Sequence, residues 1–123
     1  MKHTTRIIAF AGLAAVLLPG CEQAVSYKKD IQPILAAKCQ SCHQPGGQGY
    51  EASGLSLESY DALMKGTRFG PVVKPGDSLT SALNMLVEGR ADPSIKMPHG
   101  DAEGLSSAET QLLKQWVDQG AKP

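Results

Sequence analysis

Cys39 and Cys42 stand two residues apart and His43 follows the second directly, in the run Cys39-Gln40-Ser41-Cys42-His43. Two thiols at this spacing could cycle through a disulfide, hold a metal ion, or add across the two vinyl groups of a haem. The adjoining imidazole decides among these chemistries, because Cys-x-x-Cys-His is the attachment signature of c-type haem. Each sulfur then forms a thioether, and the histidine supplies an axial ligand to the iron. The spacing has a mechanical reason: the chain must set two sulfurs at two vinyl positions and then turn an imidazole under the metal, which one turn past a helix end achieves. A thioredoxin-like pair wants a preceding strand, whereas the segment before Cys39 reads as helix. A structural zinc site wants a fourth ligand, and past the first twenty residues only His99 is available as a second His.

A helix must deliver the motif. Tyr27, Ile31, Ile34 and Leu35 recur at helical spacing and run into Cys39; with Asp30 as N-cap, Pro33 falls in the first turn, so a helix is expected from about Asp30 to Cys39. Gln44 to Gly54 holds four Gly and one Pro and reads as a loop beside the haem. Ser56 is expected to cap a short helix carrying Leu57, Tyr60, Leu63 and Met64, stopped by Gly66. Asp77 or Ser78 is expected to open another, with Leu79, Leu83, Leu86 and Val87 inward and Gly89 closing it. Arg90 to Gly104 is aperiodic, with Ile95 and Met97 as its chief apolar anchors. Ser106 and Glu109 match a capping box, predicting a last helix from Ser107 to about Gln119 with Leu112, Leu113, Trp116 and Val117 on one face. No strand is signalled, so the fold class is all-α.

Composition points to something other than side chains filling the core. Of the 123 residues only six are aromatic, and one of these, Phe10, lies in the N-terminal leader. Thirteen Gly and eight Pro imply long irregular loops, which a domain this small usually holds with a cofactor, a metal or disulfides. Setting aside Lys2 and Arg6 leaves ten basic against twelve acidic side chains, so no nucleic-acid partner is expected.

The leader carries Lys2 and Arg6, then an uncharged apolar run from Ile7 to Leu18, too short to span a bilayer but suited to a secretory signal. It ends at Leu18-Pro19-Gly20-Cys21, which resembles the lipobox of bacterial lipoproteins. The resemblance implies that 1–20 is a removed signal peptide, that Cys21 receives a diacylglyceryl group, and that 21–26 is a tether to a domain over 27–123. The protein would then be exported, with no free thiol left.

Ile31-x-Pro33-Ile34-Leu35 before the haem motif, Gly54-Leu55-x-Leu57 after it, Val73-x-Pro75-Gly76-Asp77-Ser78, Lys96-Met97-Pro98 and Trp116-Val117-x-x-Gly120 follow in order over nearly the whole mature chain. Together they resemble a small single-haem cytochrome c, and in detail the cytochrome c-like domains of planctomycete-type multidomain proteins. The resemblance implies a cytochrome c-like fold around one covalent haem c, and a one-electron carrier rather than an enzyme, meeting redox partner proteins. His43 is the proximal ligand. For the distal one, Met64 and Met85 lie within helical patterns where Met is core filler, whereas Met97 sits in an aperiodic loop with its backbone extended by Pro98. The family's Met-Pro methionine is the distal ligand, which agrees. His99 or an exchangeable position are the alternatives, and the last of these would make the protein a haem-based sensor. Arg68 and Lys74 could neutralise haem propionates or be plain surface charge, and Trp116 could reach a propionate or a backbone carbonyl.

Overall fold

The computed structural model describes residues 23–100 and 102–123. Among these, all regular structure is helical, and extended pairing is confined to one isolated bridge between Thr67 and Gly70. This agrees with the all-α expectation. A π-type turn over Tyr27–Ile31 leads without a break into α1, Gln32–Lys38. α2 is Gln48–Ser53, α3 is Tyr60–Lys65, α4 is Ala82–Val87 and α5 is Ser107–Asp118.

The helical path to Cys39 starts at Tyr27 rather than Asp30. Ser26 is its cap: the Ser26 hydroxyl accepts from the Lys29 N–H and the Ser26 N–H donates to the Asp30 carboxylate. The wider turn lets the chain begin early and still seat Pro33 in the first turn of α1, where its missing N–H is not needed. Ser59, not Ser56, caps α3 by accepting from the Ala62 N–H. α4 opens at Ser81, later than expected, because the Ser81 hydroxyl is spent on the Lys74 N–H and the Asp77 carbonyl, holding 77–80 as turns. Leu79, expected inward, is consequently 71% exposed.

Ser106 and Glu109 form the predicted capping box on α5. Leu113, Trp116 and Val117 are buried from its inner face against Tyr27, Ile31 and Leu35, and Leu112 packs at the edge. Each such side chain contributes on the order of 2 kcal/mol through lost apolar exposure. Tyr27, Tyr60 and Trp116 form the aromatic centre, with ring centroids 5.3 to 6.5 Å apart. The Trp116 indole N–H donates to the Lys122 carbonyl at 2.7 Å, and the Tyr60 hydroxyl to the Ala121 carbonyl at 2.9 Å.

Two carboxylates closing α5 titrate below their ordinary values: Glu109 through the Ser106 backbone and hydroxyl, Asp118 through Ser78 and then Lys114. A carboxyl depressed by folding stabilises the protein above its unfolded value and loses that contribution as pH falls through the folded one. Thermal melting followed by circular dichroism should therefore show stability dropping once pH falls below 4.5, the ordinary value of Glu109. Glu109→Gln should flatten that drop; an unchanged pH profile would exclude the cap as its source.

Candidate haem-binding site

α1 ends where the motif begins. Cys39 is its C-cap and donates its N–H to the Leu35 carbonyl at 2.9 Å, after which the chain tightens into one turn: the Cys42 and His43 N–H groups both return to the Cys39 carbonyl, at 3.2 and 3.0 Å. Cys39 is half-buried, Cys42 exposed and His43 buried, so the turn presents two thiols along its rim and an imidazole inward.

His43 is fixed on both sides. Its carbonyl accepts the Leu57 N–H at 2.8 Å, and α2 closes over the ring. A Cβ on Gly49 would lie 2.6 Å from His43 Cε1 and 2.8 Å from Nε2, and one on Gly47 would lie 2.4 Å from the Cys42 carbonyl oxygen. The Tyr50 N–H donates to that same oxygen at 3.0 Å. Gln44 to Gly54, read as a loop, thus contains α2, whose glycines permit backbone to approach the motif more closely than any side chain would. A glycine at alternate positions directly after the motif was the available signal. Gly49→Ala is expected to reduce the yield of haem-loaded protein several-fold by pushing the imidazole aside; equal yield and an unchanged spectrum would show the ring free to move.

Burial holds His43 below its ordinary pKa, the Leu55 backbone opposes this, and the charge on His99 adds to it. Nδ1 is buried without a hydrogen bond of normal geometry. A neutral imidazole is the ligand form of histidine. Cys39 is pushed up to about 11, first by burial and then by Cys42. That is the reverse of the depressed thiolate on which disulfide exchange depends. Among the described residues no group of three or more His, Cys, Asp or Glu is placed to hold a metal ion.

Met97 is half-buried in the loop after α4, with its N–H donating to the Leu86 carbonyl at 3.2 Å. The loop is held by its backbone more than by apolar anchors: Ile95 is 49% exposed, while Asp92 caps a short 3-10 turn at Pro93–Ile95. Glu103 then pairs with Lys38, the residue before Cys39, at 2.7 Å. The charge on His99, at the end of this loop, bears on His43. Met64 instead packs at the core from α3. Arg68 is tied back to the Glu51 carbonyl and Lys74 to the Thr80 hydroxyl. Cys21 and the leader lie outside the described residues.

Two thiols one turn apart, a neutral buried imidazole with an unpaired nitrogen and a glycine cradle fit a haem attached through Cys39 and Cys42. The family described as planctomycete cytochrome C matches residues 39–101, just over half of the chain. The chain belongs to that family. As a haem-binding cytochrome it is also 27% identical to hydrazine synthase subunit alpha of Kuenenia stuttgartiensis, in an alignment that covers 82% of this chain. The cytochrome spans 16% of the length of that relative. No solved structure matches it.

Proposed function

We propose that this cytochrome is an exported, lipid-anchored one-electron carrier and not an enzyme, with a single haem c joined through Cys39 and Cys42. His43 and Met97 would hold its iron. The observation that carries this reading is a buried, neutral His43 held by the α2 glycines one turn past Cys39 and Cys42. A bound haem supplies an iron centre that takes up and releases a single electron.

The residues around it do the remaining work. His43 is held against rotation by α2 and by the Leu57 N–H, and the Met97 backbone by the Leu86 carbonyl, which would help keep both residues at the iron in either redox state. With the iron held by both residues, no position on it would be open to a substrate. Cys42, on the exposed rim, marks where an electron enters and leaves. The nearly balanced charge supplies little long-range steering, and anchoring through Cys21 would raise local concentration in its place.

The domain organisation follows the leader: 1–20 as signal peptide, 21–26 as tether and 27–123 as haem domain. Among the described residues no helix is long and apolar enough to cross a membrane. Cys21→Ser is expected to move the cytochrome from the membrane to the soluble extracytoplasmic fraction while leaving its visible spectrum and one-electron potentiometric titration unchanged. Membrane retention of the variant would refute the anchor. A titration that fits two electrons would refute the carrier.

A further inference from the structure

Asn84 and Glu88 stand one helical turn apart at the end of α4, where the methionine loop begins. The Glu88 N–H donates to the Asn84 carbonyl at 3.0 Å, and side chains at this spacing lie on one face of a helix. Asn84 is fully buried. Its side-chain amide nonetheless has no hydrogen-bond partner at either Oδ1 or Nδ2, and Glu88 Oε1 is likewise buried and unpartnered. The other carboxylate oxygen of Glu88 is taken by the Arg90 guanidinium. An amide shut away from solvent costs free energy unless something meets it. Asn84 and Glu88 make no direct side-chain bond, so the group between them must accept from the amide N–H and donate to the carboxylate. Water does both. A metal cation cannot accept a hydrogen bond, and an anion would meet the charge of Glu88.

A way in for water is present. Glu88 lines a cleft of about 520 Å³ with Ser78, Leu79 and Arg90, and with Lys114 and Asp118 of α5. The same end of α4 carries the loop. The Leu86 carbonyl accepts the Met97 N–H at 3.2 Å, and the Met85 carbonyl accepts the Arg90 N–H at 2.8 Å. The Arg90 guanidinium, besides gripping Glu88, donates to the Leu79 carbonyl at 2.7 Å and the Ser78 carbonyl at 3.1 Å. Glu88 thus links the face of α4 that carries the buried amide to the arginine at which the loop starts.

We propose that Asn84 and Glu88 hold a buried water at the root of the Met97 loop, and that the chain from Asn84 through this water and Glu88 to Arg90 fixes where the loop leaves α4. The water site stands on α4 and its neighbours alone. Its effect on the iron rests on the reading of Met97 as a ligand, and makes Asn84 and Glu88 positioning residues for that sulfur.

The test uses the full holoprotein in its reduced, diamagnetic state. Rotating-frame cross-peaks between water and the Asn84 side-chain amide protons should appear, since surface water does not touch a fully buried amide. Their absence, or cross-peaks to haem protons in their place, overturns the water site. Asn84→Leu removes the amide and keeps its branched shape. A bridged amide should be missed, so the folding equilibrium constant should fall several-fold, and by much less in a Glu88→Ala background. A more stable Asn84→Leu protein would mean that nothing meets the amide, and equal losses in both backgrounds would mean that Glu88 takes no part; either overturns the site. In the ferric form, imidazole should bind Asn84→Leu several-fold faster than the parent. An unchanged rate overturns the hold on the loop and leaves the water in place. A parent without the methionine-to-iron band overturns the ligand reading instead, while the cross-peaks and the paired substitutions still decide the water site.

Discussion

Replacing Cys39 and Cys42 together by alanine is expected to abolish covalent haem, so that the mass of one haem disappears from the purified protein. The two sulfurs are the only thiols of the haem turn, and the carbonyl of Cys39 is gathered by the Cys42 and His43 N–H groups whatever side chain it bears. The turn itself should survive the substitution, and the loss should reflect chemistry rather than unfolding. The core that supports the turn, from Tyr27 through Leu35 to Trp116, does not include Cys42 and meets Cys39 only at its edge. Far-ultraviolet circular dichroism should accordingly retain helix while the Soret band is lost after denaturation and extraction. Covalent haem persisting in the double variant would place attachment elsewhere.

Met97→Ala should change the iron rather than the fold. The loop keeps the Asp92 cap and the Glu103–Lys38 pair, and the N–H of residue 97 still reaches Leu86, so the backbone stays near its place while the sulfur is removed. Thioether ligation favours the ferrous state relative to a second imidazole or water, so the reduction potential should fall. The ferric near-infrared charge-transfer band of a methionine ligand should vanish, and carbon monoxide should bind quickly. Met64→Leu and Met85→Leu keep similar volume and should leave all three properties near those of the parent. If the band is lost only in Met85→Leu, the ligand belongs to α4.

The parts of this site legible in the sequence are those whose signal is local. The haem motif reads directly from residue types at fixed spacing, the capping box at Ser106 fixes the start of α5, and the apolar stripe from Tyr27 to Leu35 marks the helix that delivers Cys39. What stayed hidden depends on contacts between distant residues or on one residue serving two purposes. α2 looks like loop because Gly47 and Gly49 lower helix propensity, and their reason is the ring of His43 and the carbonyl of Cys42, neither of which is part of the local pattern. Leu79 fits a helical stripe, yet Ser81 diverts its hydroxyl to the backbone at 74 and 77, and the helix waits until Ala82. Binding of residues 23–25 to Gln119, across more than ninety positions of chain, has no sequence signature at all.

The proposed ligation of the iron by His43 and Met97 is tested most directly by the near-infrared absorption of the purified ferric holoprotein, followed by addition of carbon monoxide to the reduced form. The account predicts the methionine-to-iron band in the ferric state and no rapid binding of carbon monoxide in the ferrous state. A parent protein without the band that takes up carbon monoxide readily would contradict it, and would make the cytochrome a ligand-binding sensor.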